Sequence, residues 1–258
     1  LENTVLRRTE ELSREKQKSD NLLLNILPEF TAEELKEKGV AATRTFDSAS
    51  VLFSDFQGFT PLTESLDSEE LVRQLDVFFR AYDEASSAFS IEKIKTIGDA
   101  YMCACGIPVS DEFHPIKIVA FGLTMLQLTE SINQELIAAN KAPWPIRIGI
   151  HSGPLIAGVV GKKKFAFDIW GDTVNTASRM ETHGNVGTIT VSASTAKQVE
   201  PYFELSSKGM HEVKGKGLME LFSVIGYHEK YCTTEDRKTP SEAFLRLFES
   251  AKSTSDEN

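Results

Sequence analysis

Apolar residues first appear along this chain as a loose helical seam. Val5, Leu12, Leu22, Leu23 and Ile26 are spaced through residues 1–27, a stretch rich in Glu, Lys, Arg, Gln and Leu with no Gly or Pro before Pro28. Pro28 ends that predicted helix. The seam is interrupted at Ser19, so two readings stand: a solvated helix packed on its own domain, or a parallel coiled coil that joins two copies and relays an upstream signal. A polar-faced helix standing alone is marginal in water, which favours the paired form.

The period then changes. ASVLFSDF at 49–56 is a strand signal, closed by Gly58 and Pro61. A helix is predicted from about Asp67, whose spacing to Glu70 resembles a capping box, with Leu71, Leu75, Phe78, Phe79 and Tyr82 on one face. IEKIKTI at 91–97 and AYMCACG at 100–106 are separated only by Gly98-Asp99, which predicts a tight hairpin. A long helix over about 114–140 follows, then a strand PIRIGIHSG at 145–153 and a second strand near 155–160. This βαββαβ order predicts an α+β fold, a ferredoxin-like core sheet with two helices on one face.

Beyond that core, DTVNTASRMETHG at 172–184 predicts a helix that Asp172 and Thr173 cap and Gly184 stops. Shorter strands and a helix fill 188–226, an additional C-terminal strand and helix subdomain. From about 232 the chain turns polar, with SEAFLRLFESAK as its one periodic patch. That patch predicts an amphipathic helix with a disordered end. The expected division is a helix and linker over 1–44, one core domain over 45–230 and a polar tail over 231–258.

Composition narrows the function. A hydrophobic content of 41% in 258 residues supports one sizeable core with flanking segments. The formal net charge of -10 argues against nucleic-acid binding, which needs an array of Lys and Arg. A phosphate substrate must therefore meet local cations or metal. No apolar run reaches the roughly 18–20 residues that span a bilayer, so no membrane span is expected. The start at Leu1, without Met or a leader, suggests a piece of a longer protein. Cys103, Cys105 and Cys232 are odd in number and suit neither a zinc knuckle nor a disulfide framework, which fits thiols in a cytoplasmic protein.

Two carboxylates carry the candidate chemistry. Asp55 lies where the first strand gives way to a Gly-containing loop, in FSDFQGFT, and Asp99 sits at the hairpin tip in KTIGDAYM. Neighbouring strands can bring both to one sheet edge, where they could hold divalent metal with a carbonyl such as that of Phe56. The plainer alternative is a loop cap at Asp55 and a turn residue at Asp99. The loop from Phe56 through Gln57, Gly58 and Phe59 to Thr60 could turn successive backbone N–H groups toward phosphate, although it is no Walker A loop. His151, inside an apolar strand, reads as a satisfied core histidine. Lys162–Lys164 read as solvated turn charge.

Taken in order, VLFSDFQGFT, EKIKTIGDAYM, IRIGIHSG, FDIWGDTVNTASRM and VKGKG resemble the class III nucleotidyl cyclases, over roughly residues 45–226. The resemblance implies that Asp55 and Asp99, with the Phe56 carbonyl, bind two divalent ions, Mg2+ or Mn2+. It implies that Asn175 orients the ribose and Arg179 stabilises charge on the α-phosphoryl oxygens. Arg147 and Lys214 match the positions that contact the β- and γ-phosphates, with Lys216 the weaker candidate. The base-reading positions are Lys95 and Asp168. A lysine donor meets adenine N1 and an aspartate acceptor takes the 6-amino hydrogen, whereas guanylate-type members carry Glu and Cys there. The resemblance thus implies an adenylate cyclase converting ATP to cyclic AMP and pyrophosphate. It further implies a homodimer with two shared active sites and an upstream sensory domain in the parent protein. The alternatives are a guanylate cyclase, or a catalytically silent module that only binds nucleotide or dimerises.

Overall fold

A computed structural model describes residues 2–59, 61, 63, 66–161 and 165–255, without the side chains of 2–6 and 249–255. Thr60, Lys162–Lys164 and the Val5 side chain lie outside the described residues. The chain divides into two compact units, one of residues 1–45 with 156–169, the other of 46–155 with 170–258.

The elements run α1 (Glu2–Leu24), α2 (Glu29–Lys38), β1 (Arg44–Phe56), α3 (Ser68–Ser86), β2 (Glu92–Ile97), β3 (Ala100–Cys105), α4 (His114–Ala138), β4 (Ile146–Val159), β5 (Phe167–Trp170) and α5 (Asp172–Thr182), then β6 (Ile189–Ser192), α6 (Ala193–Val199), β7 (Phe203–Val213), β8 (Gly217–Tyr227) and α7 (Glu242–Ser255). Among the described residues no helix is long and apolar enough to cross a membrane.

Among the described residues, the sheet is ordered β2-β3-β1-β4-β6-β8-β7, with β5 paired to β4 off that path. Its first four strands are the ferredoxin-like arrangement that the βαββαβ reading anticipates, and β6, β7, β8 and α6 extend it. β1 and β2 each run antiparallel to β3, whereas β6 lies parallel to β4. Helix α3 begins as expected: the Asp67 carboxylate accepts from the Glu69 and Glu70 amides at 3.0 and 2.9 Å. The box is only half formed, because the Glu70 carboxylate holds Gln74 Nε2 and Lys141 Nζ instead. Phe78 and Tyr82 are fully buried on the apolar face, and Tyr82 shares a 2.6 Å hydrogen bond with Thr129 of α4.

Two expectations need correction. The two strands expected at 145–153 and near 155–160 are one strand, β4. Gly153 and Pro154 do not break it, since the Thr173 hydroxyl donates to the Pro154 carbonyl at 2.6 Å and a side chain at 153 would collide with that hydroxyl. Asp172 and Thr173 do not cap α5. Gly171, at φ 133°, is the N-cap, while the Asp172 carboxylate pairs with Lys216. The C-terminal patch forms a helix as expected, α7, and its Phe244 is fully buried against Phe203, Tyr227, Tyr231 and Phe248, with ring centroids 4.7–5.9 Å apart.

One polar seam runs from the exposed Ser48 through the interior to the half-buried His151. The Ser48 and Ser50 hydroxyls bracket the His114 ring at 2.9 and 2.7 Å, and Ser50 continues to Ser152 at 2.6 Å. Ser152 meets Thr195, which meets Ser192, and Ser192 reaches His151 Nδ1 at 2.6 Å. Burial pushes both imidazoles down to about 4, so they are neutral at physiological pH. His151 is thus a satisfied histidine, as expected.

In the smaller unit α1 leaves Leu12 and Leu22 exposed, and Ile26 in the turn that follows is exposed too. A coiled coil is not shown.

Candidate active site

The end of β1 is fixed by aromatic packing. Phe56 is 3% exposed, with its ring 4.9 Å from Phe78 and 5.4 Å from Trp144. Burying a side chain of this size is worth about 1.5–3 kcal/mol, enough to hold the residue before it in place. Asp55 is that residue. The register of β1 on β3 pairs Ser54 with Tyr101, and Ile97 pairs with Ala100 across the Gly98-Asp99 turn, where Gly98 adopts φ 62°. This brings Asp99 to the same sheet end as Asp55. Burial, and then the Asp55 charge, push the Asp99 carboxyl up to about 6, partly offset by the Phe56 backbone amide. A carboxyl raised by burial and by a neighbouring carboxylate marks a site short of positive charge.

Arg147, on β4, supplies part of it. Its Nη2 lies 3.1 Å from Asp55 Oδ2 and its Nε 2.5 Å from Glu181 Oε1. Glu181 was not anticipated from the sequence. It sits in the last turn of α5, where the helix dipole disfavours an acid, and that misfit was the available signal. Burial outweighs Arg147 and raises the Glu181 carboxyl above the usual range. Gly149 allows this contact: a Cβ there would fall 1.8 Å from the Glu181 amide nitrogen, so helix and strand meet backbone to backbone.

Asn175 and Arg179, one helical turn apart on α5, make no side-chain hydrogen bond or ion pair among the described residues, and Asn175 is exposed. Among the described residues no hydrogen bond or ion pair links them to Asp55 or Asp99. Lys214, in the β7–β8 turn, is exposed and also without an ion pair, whereas Lys216 is committed to Asp172. Lys95 is on β2, next to a bulge between Lys93 and Lys95. Asp168 is on β5, in the smaller unit, and accepts from the Ile169 amide at 2.9 Å. In the loop after β1, the Gln57 amide donates to the Pro145 carbonyl at 2.9 Å.

Chemically, the arrangement offers a carboxylate pair for hard cations, a guanidinium beside it, and, in Asn175, Arg179 and Lys214, side chains without a hydrogen-bond or ion-pair partner among the described residues.

Comparison with known proteins identifies the family. The model of the adenylate and guanylate cyclase catalytic domain matches residues 41–226. An adenylate cyclase of Mycobacterium tuberculosis is 39% identical over 214 residues, 82% of this chain and 47% of that protein. The guanylate cyclase soluble subunit beta-2 of Rattus norvegicus is 38% identical over 215 residues, 83% of this chain and 31% of that protein. The chain thus spans about half the length of the mycobacterial protein and less of the rat one. Among solved structures, the guanylate cyclase domain of RhGC from Catenaria anguillulae, in complex with GTP, superposes with a TM-score of 0.68 at 32% identity, covering 72% of this chain and all of that one. From the fold, the paired carboxylates and these matches, the chain belongs to the family of class III nucleotidyl cyclase catalytic domains.

Proposed function

We propose that this chain is an adenylate cyclase that closes ATP into 3',5'-cyclic AMP and pyrophosphate at a homodimer interface. The observation that carries the reading is the Asp55–Asp99 pair at one sheet end, with burial and the Asp55 charge pushing the Asp99 carboxyl up to about 6. Such a pair fits two hard divalent ions, Mg2+ or Mn2+, held by Asp55, Asp99 and the Phe56 carbonyl. When bound, these ions would supply Lewis acidity toward the ribose 3'-hydroxyl and the triphosphate.

The chain's own groups do the rest. Arg147 leaves Asp55 for the β- and γ-phosphates while Glu181 keeps hold of its Nε. Gly58 and Phe59, with Lys214, bind the triphosphate, and Asn175 orients the ribose. As the 3'-oxygen bonds to the α-phosphorus, the bond to the bridging oxygen breaks and pyrophosphate leaves, with Arg179 stabilising the charge that builds between them. Lys95 donates to adenine N1 and Asp168 accepts from the 6-amino group, a pattern that guanine reverses. That pair is what favours ATP, because the guanylate cyclases are almost as similar in sequence as the adenylate cyclase.

The uncommitted Asn175 and Arg179 favour a second copy. In this reading each site takes Asp55 and Asp99 from one subunit and Asn175, Arg179, Lys95, Asp168 and Lys214 from its partner. The exposed Leu12, Leu22 and Ile26 suit pairing of α1 with its counterpart, which would pass a signal from a sensory domain to this intracellular output domain.

The test is to incubate the protein with ATP or GTP plus Mg2+ or Mn2+ and identify the product. Asp55→Ala and Arg179→Ala are each expected to be inactive, and their mixture to recover part of the cyclic AMP formation. Cyclic GMP as the main product overturns the base assignment. Absence of recovery although mixed dimers form overturns the shared site.

A further inference from the structure

At the root of the β2–β3 hairpin, at the opposite end of these strands from Asp99, lies a cavity of about 540 Å³, within the size range of small-molecule sites. Its apolar walls come from Ile91, Ile107, Pro108, Phe113 and Phe248. Phe113 and Phe248 stand edge to face at 5.8 Å. The charged groups that face it are Glu92 from β2, Asp111 and Glu112 from the β3–α4 loop and Lys117 from α4. Lys117 is already committed, with its ammonium 2.5 Å from Asp111 and 5.3 Å from the centre of the Phe248 ring. Glu92 is not committed. Its carboxylate makes no hydrogen bond or ion pair among the described residues, and the residue is half-buried.

We propose that this cavity is a binding site for a small organic cation, a protonated amine on an apolar body, with Glu92 as the counter-ion of its head group. Three carboxylates against one ammonium exclude an anionic ligand and draw cations in. The aromatic walls suit the apolar body, and ring faces attract an ammonium as well. Burial alone pushes the Glu92 carboxyl up to about 7, the condition of a carboxylate whose partner is not supplied by the chain. This site is separate from the catalytic one, and the inference does not depend on the proposed activity.

The probe is 2-phenylethylamine, compared with the uncharged 2-phenylethanol, titrated into the full chain by calorimetry and by amide NMR shifts. The amine is expected to bind saturably, shifting Ile91, Glu92, Gly106 and Phe113, and the alcohol to bind at least tenfold more weakly. Glu92→Gln, nearly isosteric, is expected to weaken the amine at least tenfold and leave the alcohol unchanged. Because the ionised carboxylate is the binding form, amine affinity is expected to fall about tenfold from pH 8 to pH 6. The wild-type shift map stands even where the variant fails to fold. No saturable binding, shifts centred on Lys95 and Asp99 instead, or equal affinity of a folded Glu92→Gln variant would each overturn the proposal.

Discussion

Replacing Gly149 with alanine tests whether catalysis depends on the seating of α5 against β4. The added methyl carbon would lie 1.8 Å from the Glu181 amide nitrogen, 2.4 Å from its Cα and 2.5 Å from the Met180 carbonyl carbon, whereas ordinary contact begins at 3.4 Å. All three are backbone atoms, so no side chain can turn aside. Relief requires the end of α5 to move away by about 1.6 Å, the shortfall at the closest of these contacts. Overpacking of this kind costs about 1–3 kcal/mol, which lowers Tm by roughly 2–10 °C in a chain of this size. The larger effect is on rate. α5 carries Asn175 and Arg179, and its end carries the Glu181 carboxylate that holds Arg147. Displacing such groups by an ångström costs on the order of a hundredfold. The assay is kcat/KM for cyclic nucleotide formation, beside a thermal melt and the dimer fraction. A Gly149→Ala enzyme that is folded, dimeric and within threefold of wild type would refute the reasoning.

Asp99→Asn is expected to abolish turnover yet stabilise the fold in chelator at pH 7.5. Asp99 titrates at about 6 when folded against about 3.9 unfolded, so the folded state binds the extra proton between those values and wild-type stability falls as pH rises through that window. The gain in Tm should therefore vanish below about pH 4, and a lower Tm for the variant at pH 7.5 would contradict it. Phe244→Ala removes a fully buried ring with four aromatic neighbours, so it is expected to destabilise by about 3–5 kcal/mol in denaturant melts. A loss under 1 kcal/mol would mean that α7 is not part of the core. Lys95→Glu combined with Asp168→Cys is expected to lower the ATP-over-GTP ratio of kcat/KM at least about tenfold, since each mismatched polar group costs about 1–3 kcal/mol. An unchanged ratio would remove these two residues from base recognition.

Local rules made much of the fold legible. The strand-forming run ASVLFSDF, the Asp67 cap and the Gly98-Asp99 turn act over a few residues, and β1, α3 and the β2–β3 hairpin lie where those signals fall. What local signals concealed depends on distant partners. Gly153-Pro154 reads as a break until Thr173 takes up the Pro154 carbonyl. Asp172 reads as a cap until Lys216, brought in by the β7–β8 turn, claims its carboxylate. In the site, Asp55 and Asp99 announced themselves as carboxylates at strand ends. The Arg147–Glu181 pair did not, because its members are far apart in sequence and meet only where Gly149 admits the helix. The period of SEAFLRLFESAK showed the helix that carries Phe244 but not its burial, which depends on Phe203, Tyr227 and Tyr231, distant in sequence or outside that period.

The row of hydroxyls and imidazoles through the larger unit works as a key for strand alignment. Ser48 and Ser50 share one side of β1, and sliding that strand by a single position would present Asp47, Ala49 or Val51 to His114 in their place. Every misaligned pairing would strand several polar atoms in a dry interior, whereas an all-aliphatic interior would tolerate the slip. The correct placement of Asp55, a few residues further along β1, is thereby enforced by residues that never touch substrate.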